Sequence, residues 1–256
     1  MASLEPVRLK VARANEHLDA LKVEIARYYD TNPAEFVADP TIHTDSNGEE
    51  YVFGRFKADT PPEHIAVVIG DVLQNLRSAL DYLVWELVLA NKEQPGKKNS
   101  FPICNSPKDL SNELRRGRLG GVHAEAITEI EALQPYFGGA EVNKSFLWNL
   151  EQFSNINKHR RVLLTVLRTL PVPEGLVTTR DEFGLNHALV NPALANNDAQ
   201  IGPVRVVGGK VQMNPPVVGF IGFAEGPPIG YEIWSFLEAT VRFVPEHVVP
   251  RFERFF

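Results

Sequence analysis

Apolar residues recur at spacings of three and four over several long stretches of the chain, which is the period of an amphipathic helix rather than the alternation of a strand. From about Leu4 to Tyr29 the positions Val7, Val11, Ala14, Leu18, Leu21, Ile25 and Tyr28 mark one such face. The Asn32-Pro33 pair ends it, because a proline disfavours helical backbone in the residue before it. Thr60-Pro61-Pro62-Glu63 opens a second helix with a capping hydroxyl, prolines where no donor is required and a first-turn carboxylate. That helix is predicted to run to about Asn91, with Ile65, Ile69, Val72, Leu76, Leu80, Leu83 and Leu87 in one stripe. Its opposite face begins polar at Asp71, Asn75 and Ser78 and becomes apolar at Tyr82, Trp85 and Leu89, which predicts a central helix packed on both sides in its second half.

Shorter helical segments are expected near Lys108 to Arg116 and His123 to Leu133, divided by Gly120-Gly121. A further long helix is expected from about Asn143 to Thr169, with Phe146, Leu150, Phe153, Leu164 and Leu167 on one face and Asn157 and Arg161 within or beside it. Helical spacing returns from about Tyr231, and Pro245 kinks or restarts that helix towards Phe256. Strand patterns are confined to two places. Alternating runs between Phe36 and Lys57 flank the Asn47-Gly48 turn and predict a hairpin, and Val204 to Val207, Val211 to Met213 and Val217 to Phe223 predict a small antiparallel sheet with Gly208-Gly209 as one turn. The Asn- and Ala-rich stretch from Leu185 to Gln200 reads as a surface loop. The expected fold class is therefore α+β: mainly a bundle of long amphipathic helices, with a small β-hairpin (about 36–57) and a small antiparallel sheet (about 203–223).

No Ser/Gly-rich or charged linker divides the 256 residues, so the chain is read as a single domain, 1–256, with helical parts at about 4–30, 61–91, 108–169 and 231–256. The first ten residues lack the apolar run of a secretory signal, and no stretch reaches the ~18 apolar residues of a spanning helix, so a cytoplasmic protein without a membrane partner is expected. A single cysteine, Cys104, rules out an intramolecular disulfide and a thiolate metal cluster. Set in Phe-Pro-Ile-Cys-Asn, it reads as a small buried filler rather than a nucleophile. A formal net charge of −6 disfavours a protein that coats nucleic acid, but leaves room for weak or local binding at the basic clusters Arg115, Arg116, Arg118 and Lys158 to Arg161.

The easily marked chemistries are missing: there is no Gly-Lys-Ser/Thr phosphate loop, no Gly-x-Gly-x-x-Gly, no nucleophile elbow and no His-Glu-x-x-His. The seven histidines are scattered, with no two at the spacing that puts metal ligands on one helix face, and neither metal nor cofactor is expected. What remains is a polar constellation in two helices. Asp71, Asn75 and Ser78 are neighbours at helical spacing, and Arg77 and Asp81 lie four apart and can pair. The other helix offers Asn157, Lys158, His159, Arg160 and Arg161. If the two helices are antiparallel neighbours, Asp71 or Asp81 would meet Arg160 or Arg161 across a partly dry interface. Such a cluster is either a network that fixes helix register, a ligand or phosphate pocket, or a catalytic site.

The segments Asp71-x-Leu73-x-Asn75-Leu76-Arg77-Ser78-Ala79-Leu80-Asp81 and Ser154-Asn-Ile-Asn157-Lys158-His159-Arg160-Arg161 resemble the two best-marked motifs of a family of uncharacterised bacterial and phage proteins, a resemblance that implies no established activity. More loosely, the first resembles the helical signature of HEPN domains, in which an Arg and a His four to six residues apart form a metal-independent ribonuclease site. The matching residues here are Arg77 and Tyr82. A phenol, with an unperturbed pKa of ~10, is a poor general base near neutral pH, and with Leu83, Val84 and Trp85 as neighbours the ring is expected to be packed. Arg118/His123, Arg180/His187 and Arg242/His247 also meet the spacing, but lie across glycines, in a loop or across Pro245. The sequence thus supports first a non-enzymatic intracellular binding module, with scope for a homodimer, and second a HEPN-like RNA-binding or nucleic-acid-processing protein with a degenerate catalytic site.

Overall fold

The computed structural model describes residues 2–159, 164–168, 179–180, 186–187, 198–207, 210–211, 219–223 and 233–256. Its helices are α1 (Glu5–Asp30), α2 (Glu63–Ala90), α3 (Pro107–Arg115), α4 (Ala124–Ala132), α5 (Phe146–His159), α6 (Ile233–Phe243) and α7 (Val249–Phe252). The strands are β1 (Ala34–Ala38), β2 (His43–Thr44), β3 (Glu50–Ala58), β4 (Leu164–Arg168), β5 (Thr179–Arg180), β6 (Asn186–His187), β7 (Asp198–Val207), β8 (Lys210–Val211) and β9 (Gly219–Phe223). The fold is α+β and mainly helical.

The stripe on α2 organises the molecule. Ile65, Ile69, Val72, Leu73, Leu76, Leu80 and Leu83 are all fully buried, and α1, α5 and α6 pack against this helix. Helix α1 lies antiparallel to it: the Ser3 backbone N–H donates to Glu86 near one end (3.0 Å), and Glu24 meets His64 at the other (2.9 Å). The first residues of α2 depart from expectation at the cap. Pro62, not Thr60, occupies the N-cap position and makes no side-chain cap hydrogen bond; its fixed backbone angle suits the start of the helix.

At Gly48 the chain takes a left-handed turn (φ 80°), and Asp45 closes the hairpin by accepting the backbone N–H groups of Asn47 and Glu49. Beyond the hairpin three expectations change. The hairpin is joined by part of the second β region: β3 sits between β1 and β7, with Gly54 opposite Ile201 and Lys57 opposite Asp198, while β9 belongs to a separate two-stranded sheet. Residues 198–200 therefore belong to a strand and not to a surface loop. The helix expected from Asn143 to Thr169 is shorter at both ends. A 3-10 segment over Pro135–Lys144 precedes it, α5 spans Phe146–His159, and Leu164–Arg168 is a strand paired with β9, Leu164 facing Phe223 in register. The run Leu164-Thr-Val-Leu is short, apolar and β-branched, which suits a strand edge as well as a helix face. The two longest helices are consequently α1 and α2, so the two-motif constellation does not lie between the longest pair.

Below the bundle, Phe153 of α5, Phe223 of β9 and Phe236 of α6 meet with centroids 4.2 to 5.5 Å apart and join sheet to helices. The Phe101–Cys104 connection is pinned from inside by Gln134, a buried side chain that accepts from the Cys104 N–H (2.8 Å) and donates to the carbonyls of Pro102 (3.0 Å) and Ile130 (2.9 Å). Burial pushes the Cys104 thiol up to about 11, as befits a filler rather than a nucleophile. Pro245 falls in a π-helical turn, Val244–Val248, that separates α6 from α7.

Candidate functional site

Helices α2 and α5 are antiparallel neighbours, and their close approach rests on a glycine. A Cβ at Gly70 would clash with Asn157 Oδ1 and stand 2.8 Å from its Cγ and Nδ2, so the amide of Asn157 lies directly over the α2 backbone. Two turns further along α2, Arg77 crosses to α5. Its Nε donates to Glu151 Oε2 (3.1 Å), its Nη1 to Asp81 Oδ1 (2.6 Å) and its Nη2 to the Phe101 carbonyl (2.9 Å). The same Asp81 oxygen accepts the Phe101 N–H (2.9 Å). Only 12% of the Arg77 side chain is exposed, so each of its three nitrogens has exchanged water for a protein acceptor. From Glu151 the contacts continue along α5 through Asn155 (3.3 Å) to Lys158 (3.4 Å).

The Arg77–Asp81 pair forms as its four-residue spacing allows, and the group that meets it from α5 is a carboxylate, Glu151. Arg160 and Arg161 lie outside the described residues. Asp71 is exposed on the outer side of α2, where its backbone carbonyl accepts from Asn75 Nδ2 (2.8 Å). Ser78 accepts from Gln74 (3.4 Å), and His159 is exposed at the end of α5. The structure thus gathers Arg77, Asp81 and Lys158 into one chain of contacts, sets Asn157 against Gly70, and leaves Asp71, Asn75 and Ser78 on another side of α2. Sequence reasoning missed Glu151 and Asn155; their i,i+4 spacing at the edge of the Leu150 and Phe153 face was the available signal.

Gly70 and Asn157 give an expected inversion of sign. Alanine in place of a mid-helix glycine stabilises by ~1 kcal/mol when there is room. In the native background Gly70→Ala forces Asn157 aside and should fail to stabilise. In an Asn157→Ala background, where the three clashing atoms are gone, it should raise stability by ~0.5–1 kcal/mol. Equal effects of Gly70→Ala in the two backgrounds, measured by urea unfolding, would show that the two residues do not touch.

Tyr82 does not share the Arg77 environment. Arg77 turns inwards, whereas Tyr82 faces outwards and is 44% exposed, with Trp85 at 43% and Leu89 at 38% beside it. The expectation of packing on both sides of α2 is therefore corrected: Tyr82, Trp85 and Leu89 each remain more than a third exposed. Over the Tyr82 ring stands the Lys10 ammonium, 5.6 Å from the centroid, which also donates to Asn75 Oδ1 (3.3 Å).

The remaining Arg/His pairs lie elsewhere in the fold. Arg118 binds Glu113 (2.9 Å) and Ser100 (2.9 Å), while His123 caps α4 through Nδ1 (3.3 Å to the Glu125 N–H). Arg242 pairs with Glu246 (3.1 Å). Arg180 and His187 lie in the paired strands β5 and β6, one step out of register. The cluster at Arg115 and Arg116 bonds back to Asn112 and Glu113 of its own helix, so it offers no continuous basic face. A shallow cleft at the end of α2, lined by Leu87, Asn91, His123, Glu125, Arg254 and Phe255, has its cation already paired with Glu129 (3.1 Å). Among the described residues no three His, Cys, Asp or Glu side chains gather as metal ligands, and no helix is long and apolar enough to cross a membrane.

Comparison with protein-family models, with curated proteins and with solved structures gives no match.

Proposed function

We propose that this chain is a non-enzymatic intracellular binding module whose helical core is braced by the Arg77 network and whose function is carried on its surface. One observation carries the reading: all three Arg77 nitrogens donate to groups of the fold, from α2, α5 and the Phe101 strap. A guanidinium that serves a phosphate needs donors directed at a ligand, and these are directed at Asp81, Glu151 and a carbonyl. The constellation then specifies how the helices pack, with the Arg77 guanidinium held between the Asp81 and Glu151 carboxylates.

The second reading, a HEPN-like RNA-binding protein with a degenerate site, draws support from the outer strip. Lys10 over Tyr82, with Trp85 one turn on, combines a cation with exposed aromatic faces on which bases can stack.

Incubation with mixed single-stranded RNA in the absence of metal separates the two. The native protein is expected not to cleave, and neither are Tyr82→Phe and Tyr82→His. Cleavage by the native protein that vanishes in Tyr82→Phe would sink the non-enzymatic reading, and because Tyr82 is exposed the loss could not be blamed on unfolding. Activity gained in Tyr82→His alone would favour HEPN ancestry with a lost catalytic residue.

A further inference from the structure

The tip of the β1–β3 hairpin carries the chain's single Asn-Gly pair, Asn47-Gly48. Both residues are exposed, and nothing stands within 4 Å of the place a Cβ on Gly48 would take. No side chain therefore hinders the Gly48 main-chain nitrogen where it adjoins the Asn47 side chain. The Asn47 amide makes no hydrogen bond among the described residues. Asn99, which precedes Ser100, is held by contrast on three sides: Oδ1 accepts the Gly96 N–H (2.8 Å), and Nδ2 donates to the carbonyls of Arg118 (3.3 Å) and Gly120 (2.9 Å). The Asn47 side chain can turn towards the following nitrogen, and that of Asn99 cannot.

Asp45 governs the backbone at this tip. Its Oδ1 accepts the N–H groups of Asn47 (2.8 Å) and Glu49 (2.9 Å), and its carbonyl accepts that of Gly48 (3.1 Å). The Gly48 nitrogen is thus bonded through its proton, with a carboxylate on the amides to either side. Both features oppose loss of that proton.

We propose that Asn47 is a site of spontaneous, enzyme-independent modification, in which the Gly48 nitrogen displaces ammonia from the Asn47 side chain, and that Asp45 sets the rate by holding the turn closed. The Gly48 nitrogen gives up its proton to water and its electron pair forms a bond to Asn47 Cγ. The Cγ–Nδ2 bond breaks, and Nδ2 takes up a proton and leaves as ammonia. The cyclic imide that remains is opened by water at either of its carbonyls, giving aspartate or isoaspartate. One water is consumed and one ammonia released, with no change of oxidation state. Attack requires the Asp45 bonds to open first, a local event at an exposed tip.

Isoaspartate routes the main chain through one extra carbon. Asp45 can then no longer accept at 47 and 49 together, and the pairing of His43 with Tyr51 and of Thr44 with Glu50 loses the turn that closes it. Because β3 also pairs with β1 and β7, the change loosens the sheet from its tip.

The test incubates folded native protein, Asp45→Ala and Glu151→Ala at neutral and mildly alkaline pH, beside native protein opened in guanidinium chloride. The peptide containing Asn47 is followed by chromatography and mass spectrometry. Native Asn47 is expected to gain about 1 Da before any other asparagine, with isoaspartate among the products and a faster rate at the higher pH. Guanidinium chloride should speed the change several-fold, and Asp45→Ala should speed it in the folded protein with an unchanged circular dichroism spectrum. Glu151→Ala weakens the contact between α2 and α5 without touching the turn, and should keep the native rate. Modification of Asn99 or Asn105 ahead of Asn47 in the folded protein would overturn the site. A native rate equal to that of Asp45→Ala would overturn the role of Asp45. So would an equal acceleration in Asp45→Ala and Glu151→Ala, because the rate would then follow overall stability and not the closed turn.

Discussion

Replacing Arg77 with alanine is expected to lower the unfolding free energy by about 3 kcal/mol. The substitution leaves Glu151 and the Phe101 carbonyl without their guanidinium partner and deprives Asp81 of its charge pair in a setting where Arg77 is only 12% exposed. Full burial would place the cost higher, but Asp81 (38% exposed) and Glu151 (26%) can recover part of their hydration. A double-mutant cycle makes the reasoning checkable. Glu151→Ala should also destabilise, and Arg77→Ala with Glu151→Ala should cost less than the sum of the two, since the second change removes a group the first had stranded. Additive free energies from denaturant unfolding would mean that Arg77 and Glu151 contribute independently, and would remove the bracing role on which the functional reading rests.

The largest single loss is expected at Phe153, where alanine should cost about 4 kcal/mol. Phe153 is fully buried and its ring meets Phe223 at 4.2 Å and Phe236 at 5.5 Å, so truncation opens a void where α5, β9 and α6 converge. Three elements from distant parts of the chain cannot all move in to fill it, which keeps the cavity term large. Phe153→Leu should recover more than half of the loss by restoring volume without the ring contacts. A loss below ~1 kcal/mol for Phe153→Ala, measured by the same unfolding assay, would show that the site collapses and that the aromatic trio does not hold sheet to bundle.

Much of the helical architecture was legible because burial imposes its period on the sequence. The inner stripe of α2 and the Val7 to Leu21 face of α1 are buried as their spacing required, and α3 and α4 begin and end within a residue or so of expectation. Periodicity fails where a run is too short to show one. Leu164 to Arg168 fits either period, and only its pairing with β9 decides it. Pairing is itself invisible to local pattern, so the union of β1, β3 and β7 in one sheet could not be foreseen. The outer strip of α2 failed for a different reason: an apolar residue at helical spacing looks the same in sequence whether its cover is supplied or not. At the polar cluster the composition of both helices was readable, yet the charge that crosses was not. Asn157, Lys158 and the arginines that follow them in the sequence drew attention to themselves, while Glu151, six residues before Asn157, provides the bridge.

The β3–β7 pairing also bears on the order in which the chain assembles. Helices α1 and α2 are joined by a compact meander, and the Phe101 strap reaches Arg77 and Asp81 over a short stretch, so these contacts close small loops at little entropic cost. Gly54 opposite Ile201, and α6 against α1, require most of the polypeptide to have been synthesised and brought back. A nascent chain would therefore hold a helical hairpin with an unpaired β3 edge while its partner strand is still being made. That edge carries Arg55 and Lys57 among its aromatic residues, and charge on an exposed strand restrains pairing with a wrong neighbour until β7 arrives.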